Sequence, residues 1–143
     1  MKRGAGRPRP VHLSPANIGL VAVGGAAGTG LRYWISGVVP HWAGVPIATL
    51  GINLAGAFLL GVLLELLAES GHDSGRSQRI RLGLGTGGLG GFTTYSALAT
   101  DTVTLAATHP GRAAGYALGT VIIGAVASLA GIWLVRRTLP RHR

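Results

Sequence analysis

Long apolar runs alternate with short polar ones along this chain. Asn17 to Val39 carries one charged residue, Arg32, while Val45 to Leu64, Leu82 to Thr100 and Gly115 to Val135 carry none. Each run is about 20 residues, and at about 1.5 Å per residue each would cross a bilayer core of roughly 30 Å as a helix. A helix on the surface of a soluble domain keeps a polar stripe along one side. These runs have no such stripe, so the pattern predicts an all-α integral membrane protein with four transmembrane helices, over about 17–39, 45–68, 80–103 and 113–135. A transmembrane domain over 15–137 is then flanked by a basic, disordered N-terminus, 1–14, and a basic C-terminal tail, 138–143. Pro40 stops the first helix, and Pro46 suits the first turn of the second. Gly71 to Ser77 reads as a polar loop, and His109-Pro110-Gly111 as a turn before the fourth helix. The first run is too long for the apolar stretch of a signal peptide, and three further runs follow it.

Composition narrows the class. The chain has 143 residues, enough for one domain, and no cysteine, which excludes a disulfide scaffold and a cysteine-ligated zinc site. Thirteen Lys and Arg against four Asp and Glu give a net charge of +9, a balance that suits nucleic acid or a membrane surface. Position decides between them. Lys2, Arg3, Arg7 and Arg9 precede the first run; Arg76, Arg79 and Arg81 lie in the middle loop; Arg136, Arg137, Arg141 and Arg143 close the chain. With four spans these eleven residues share one side, and only Arg32 and Arg112 fall elsewhere. They form no stripe with interleaved aromatics, so no nucleic-acid partner is expected, and lipid headgroups account for them. The positive-inside rule puts both termini in the cytoplasm of a multi-pass plasma-membrane protein.

Glycine supplies 25 positions. Gly24 and Gly28, the series Gly83, Gly87 and Gly91, and the series Gly111, Gly115 and Gly119 recur every fourth residue, the spacing that lets helices approach closely in lipid. Gly85-x-Gly87-x-x-Gly90 matches a dinucleotide fingerprint on paper, but no strand precedes it and no acidic residue follows at the required distance. Gly87, Gly88, Gly90 and Gly91 instead disfavour a continuous third helix by roughly 1 kcal/mol each. A helix broken at mid-membrane depth frees carbonyls that need a partner, and discontinuous helices commonly mark ion sites.

Polar side chains within the runs are functional candidates by default. The second run offers Thr49 and Asn53, one turn apart; the third offers Thr93, Thr94 and Ser96 beside Phe92 and Tyr95; the fourth offers Tyr116, Thr120 and Ser128. No Asp, Glu, His or Lys lies deep in any run, and Glu65, Glu69 and Asp101 sit near run ends. A proton-coupled transporter needs a buried titratable group, and a cation pore prefers acidic rings. Neutral hydroxyl and amide donors, with the positive edges of aromatic rings, suit a small dehydrated anion. Each hydroxyl can also simply bond the preceding turn of its own helix. Arg32 either snorkels to lipid phosphate or raises the local anion concentration at a pore mouth.

Three ordered motifs resemble the Fluc, or CrcB-type, fluoride channel family across nearly the whole chain after the basic N-terminus. They are Gly24-Gly-Ala-Ala-Gly-Thr-Gly-Leu-Arg-Tyr33, Thr49-Leu-Gly-Ile-Asn-Leu-Ala-Gly-Ala-Phe-Leu-Leu-Gly61 and Gly87-Gly-Leu-Gly-Gly-Phe-Thr-Thr-Tyr-Ser96. The resemblance implies an antiparallel dimer of four-helix subunits with two pores and passive, selective fluoride exit. It also implies a structural Na+ at the dimer centre, held by backbone carbonyls that by motif position are those of Gly90 and Thr93. The fluoride path it implies runs past Asn53, Thr49, Tyr95, Ser96, Tyr116 and Thr120, with Arg32 at a vestibule.

The chain departs from the family pattern at two points. Tyr95 and Leu98 stand where the family has path-lining phenylalanines, and Gly124 stands where a serine is common. An antiparallel homodimer also requires insertion in both orientations, which the one-sided charge opposes. These features raise a heterodimer with an oppositely oriented paralogue that supplies the missing rings, or a nonconducting, partner-dependent subunit. A small four-helix drug-proton antiporter is a further class, but it needs a carboxylate in the first helix, and none is present.

Overall fold

The computed structural model describes residues 14–42, 44–69 and 75–139. The basic segments at the two chain ends fall outside them, except for residue 14 and residues 138–139. Helix α1 runs Pro15–Val38 and α2 runs Ile47–Glu69. Next comes α3, Gly75–Ile80, which passes into a π-helical stretch, Arg81–Leu89, and one turn of α4, Gly90–Phe92. After a break at Thr93 and Thr94 the chain resumes as α5, Tyr95–Ala106, and ends in α6, Pro110–Thr138. Pro15 and Pro110 open their helices, where a missing N–H removes nothing from the ladder. Between α1 and α2, Trp42 and Val45 exchange backbone hydrogen bonds of 3.1 and 2.9 Å, closed by Gly44 at φ +80°.

Helices α2 and α6 are long and apolar enough to cross a membrane, each with a mean hydropathy of 2.2. Helix α1 is 24 residues long, but glycine dilutes its apolar content. Among the described residues no large side chain is fully buried, whereas Val23, Val103 and Ile122 are 71%, 72% and 61% exposed. A water-soluble surface carries only small apolar patches; this one is apolar on most sides, as expected of a bundle surrounded by lipid or by a partner.

Packing follows the small residues. A Cβ on Gly24 would run into the Gly83 carbonyl, one on Gly28 into the Gly88 carbonyl, and one on Gly91 into the Gly25 carbonyl. Helix α1 therefore lies parallel to the π-helical stretch, backbone against backbone. In the same way Gly61 meets Ser128 and Gly131 packs on Phe58 and Val62, and because Thr49 lies beside Tyr116 while Glu65 reaches Arg136, α2 lies parallel to α6. The bundle is up-down-up-down. The starts of α1 and α3 and the ends of α2 and α6 share one end, which collects Arg76, Arg79, Arg81, Arg136 and Arg137. At that end Arg136 donates from Nε and Nη2 to the two carboxylate oxygens of Glu65, at 2.7 and 3.2 Å, and joins α6 to α2.

Three details differ from the sequence reading. The helix begins at Gly75, inside the segment read as a polar loop. The glycine cluster does not interrupt the third segment: the chain stays helical through it and widens, with the Gly90 N–H reaching back to the Gly85 carbonyl. Without Cβ atoms this stretch accommodates the wider winding and the approach of α1 together. Finally, a Cβ on Gly111, Gly115 or Gly119 would meet nothing within 4 Å, so this series is not pressed against another helix inside the subunit.

Candidate functional site

The break after Phe92 is organised by two side chains. Asn53, on α2, donates from Nδ2 to the Thr94 carbonyl at 3.1 Å and accepts the Thr94 N–H on Oδ1 at 2.8 Å. Its amide thus pairs with the N–H and the C=O of one residue, as a neighbouring antiparallel strand would. Thr94 in turn caps α5, its Oγ1 accepting the Ala97 N–H at 3.1 Å. Both bonds divert a helical donor. In a continuous helix the Thr94 N–H would return to the Gly90 carbonyl and the Ala97 N–H to the Thr93 carbonyl. Gly90 and Thr93, singled out by motif position, are the first and last of the four carbonyls, Gly90 to Thr93, that the break deprives of a regular helical partner. The Thr93 side chain faces its own helix, donating to the Leu89 carbonyl at 2.9 Å.

The next freed carbonyl, that of Gly91, is already taken: Thr29 Oγ1 and Arg32 Nε, both on α1, each donate to it at 3.3 Å. Arg32 is half-buried, and its guanidinium is directed at the break. The ends of the two helices that meet at the break differ in polarity. Gly90 to Thr93 present the carbonyl end of the long segment, and Tyr95 and Ser96 begin α5 with its N–H end. A discontinuous helix offers a cation and an anion adjacent dipole ends in this way.

A second polar group lies among α2, α5 and α6. Thr49 and Thr120 are buried, 8% and 4% exposed, together with Tyr116. The Tyr116 hydroxyl donates to Asp101 Oδ2 at 3.3 Å and lies beside the Thr49 hydroxyl, while Thr120 Oγ1 donates to the Tyr116 carbonyl at 2.7 Å. Tyr116 and Thr120 line an open groove of about 390 Å³ with Val45, Leu50, Gly115 and Gly119. The α6 glycines Gly115 and Gly119, not pressed against another helix of the subunit, form part of this groove.

The structure thus brings Thr49, Tyr116 and Thr120 together and sets Asn53 at the break. Ser96 Oγ lies 3.2 Å from Thr94 Oγ1 and is exposed. Tyr95 is 81% exposed and stands on the outer surface of the subunit. Leu98 is buried against Leu105, Ala113 and Tyr116, and Gly124 faces open space. Sequence reasoning passed over Thr29 and Asp101. A carboxylate near a run end reads as a solvated flank. Only the packing of α5 on α6 shows that Asp101, fifteen residues before Tyr116, meets its hydroxyl. The signal available was that Asp101 is the one acidic residue between Asp73 and the C-terminus.

Residues 19–132 match the family model described as CrcB-like protein, Camphor Resistance (CrcB). The fluoride-specific ion channel FluC 2 of Leifsonia xyli subsp. xyli is 52% identical over 126 residues, covering 87% of each chain. The fluoride-specific ion channel FluC of Mesorhizobium japonicum is 40% identical over 84% of this chain and 96% of its own. That of Paracoccus denitrificans is 41% identical over 81% and 91%.

Proposed function

Because the chain belongs to the CrcB-like family, we propose that it is a subunit of a fluoride-selective channel that lets fluoride leave the cytoplasm down its own gradient. The observation that carries this reading is the 52% identity, over 87% of each chain, to a relative named for fluoride-specific conduction. It is a channel and not an enzyme. Fluoride sheds water for hydroxyl, amide and ring-edge donors, and no bond is made or broken.

The chain crosses the plasma membrane four times, with both termini in the cytoplasm and the third span broken. The up-down order of the helices and the gathering of arginines at one end support this topology. A structural Na+ held by the Gly90 and Thr93 carbonyls is supported by the chemistry of the break. Both oxygens lack their helical N–H, they close the negative end of a helical segment, and Na+ takes carbonyl oxygens readily. When bound, the ion would balance those dipoles. Asn53 positions the break through Thr94, and Arg32 with Thr29 neutralises the adjacent Gly91 carbonyl. On the fluoride side the second N–H of Asn53, the Ser96 hydroxyl and the Thr49, Tyr116 and Thr120 group supply donors.

The working unit is an antiparallel dimer. Three features support it: the exposed Tyr95, the open Tyr116–Thr120 groove, and the space beside Gly111, Gly115 and Gly119. The one-sided charge favours a heterodimer with an oppositely oriented paralogue. Fluoride efflux from proteoliposomes, read with a fluoride electrode, tests both statements. Efflux with the paralogue present is expected, and chloride should not substitute for fluoride. No fluoride flux under either condition overturns the channel reading, and full flux from this chain alone overturns the obligate heterodimer.

A further inference from the structure

A second open groove, of about 500 Å³, lies between α1 and α2 and shares no lining residue with the Tyr116–Thr120 groove. Its walls are almost wholly apolar and include Ala27, Leu31, Leu59, Leu63 and Leu84. Gly24, Gly83 and Leu84 also line an adjoining recess of about 350 Å³, and Arg76 and Arg79 stand at its edge. These arginines are exposed and three residues apart on α3, so they leave it from one side. Among the described residues neither has a carboxylate partner, in contrast to Arg136, which is held by Glu65.

Two features of this composite groove select an occupant. The first is depth. From Leu20 to Leu31 the α1 wall of the composite groove extends about 16 Å at about 1.5 Å per residue, close to half of a roughly 30 Å hydrocarbon core. That is the reach of an acyl chain within one leaflet. The second is charge. The apolar slot opens on two guanidinium groups, whose planar donors match phosphate oxygens. A second copy of the chain complements this poorly. The sequence has four acidic residues; Glu65 and Glu69 already have partners in their own subunit, Asp101 takes the Tyr116 hydroxyl, and Asp73 lies outside the described residues.

We propose that this groove seats one anionic phospholipid of the leaflet on the Arg76 and Arg79 side, with its phosphate on the two arginines and an acyl chain along Ala27, Leu63 and Leu84. The site goes beyond ion conduction and uses none of the path residues. Its occupant would brace α1 and α2 where they diverge over the π-helical stretch.

Native mass spectrometry of the detergent-purified chain, with phosphatidylglycerol or phosphatidylcholine of identical acyl chains added, tests the proposal. With about a fivefold gain per arginine as an upper guide, phosphatidylglycerol should be retained on the order of tenfold more tightly than phosphatidylcholine. R76Q/R79Q should abolish that preference, and Ala27→Phe, which fills the slot, should weaken both lipids. Equal retention of the two lipids by the unaltered chain overturns the proposal, as does an undiminished preference in R76Q/R79Q. Displacement of the lipid by an equal concentration of inorganic phosphate would reveal a site for free anion and also overturns it. Disulfide formation in bilayers between two copies carrying Leu84→Cys would put a second copy in the groove, with the same consequence. If Ala27→Phe fails to fold, the arginine pair decides alone, since both side chains lie on the surface.

Discussion

Asn53 commits both ends of its amide to the backbone N–H and C=O of Thr94, so its chemistry is first that of a clamp. Asn53→Ala removes two hydrogen bonds and leaves partly buried backbone groups unpaired. A loss of about 1–3 kcal/mol is expected, read as a lower melting temperature in detergent together with lost efflux. Asn53→Asp keeps the acceptor for the Thr94 N–H but sets an oxygen against the Thr94 carbonyl, so it should also lower stability; an unchanged melting temperature would refute the clamp. Thr94 is separable from it. Thr94→Val removes the cap on Ala97 and should cost about 1 kcal/mol, whereas Thr94→Ser should retain it. Gly124 provides a contrast, because a side chain there meets open space. Gly124→Ser should leave the melting temperature of the subunit unchanged, and any effect on efflux would then report on the assembled pore.

At the scale of elements, the same motif has two outcomes. Gly28 and Gly87 are pressed against the Gly88 and Val21 carbonyls, so Gly28→Ala and Gly87→Ala must separate α1 from the π-helical stretch. Each should cost about 1–3 kcal/mol as overpacking, measured by unfolding in mild detergent. Gly115→Ala and Gly119→Ala meet nothing within the subunit. They should leave its fold intact and weaken subunit association, as read by single-molecule photobleaching or cross-linking in bilayers. Equal losses of fold stability in both series would refute this division. The four-residue spacing was legible from the sequence, but it could not say which series faces a neighbour, because spacing records a face and not what lies opposite. The break was misplaced for a related reason. Glycine weakens a helix in water or in isolation, but here α1 packs against the glycines and holds them helical, and the chain parts at Thr93 and Thr94, where Asn53 and the Thr94 hydroxyl supply alternative partners.

For the whole molecule, topology is the property most open to test. The chain has no cysteine, so single cysteines introduced beside Arg76, beside Arg112 and at the C-terminus can be labelled individually. Impermeant maleimide added to right-side-out vesicles should reach only the site beside Arg112. Labelling of all three would indicate dual insertion and remove the argument for an oppositely oriented partner. The Glu65 and Arg136 pair closes the arginine-rich end of the bundle. Arg136→Gln should lower the melting temperature, and the exchange E65R/R136E should recover part of the loss.

Hydropathy by itself determined that the chain is helical and apolar along most of its length, and the alternation of apolar runs with polar ones determined which loops share an end of the bundle. Both are summed over many residues, so no single contact is needed to read them. Motif spacing also picked out Asn53, Gly90 and Thr93. The tertiary structure decided what those residues face. It paired Asn53 with the backbone N–H and C=O of Thr94, ended the long segment at the carbonyls of Gly90 to Thr93, and brought Asp101 to Tyr116. It also left Tyr95 exposed and Gly111, Gly115 and Gly119 facing away from the other helices of the subunit. Hydrogen bonds are directional and end within about 3 Å, so which donor meets which acceptor depends on how whole helices pack, and a list of residues along one chain does not contain that information.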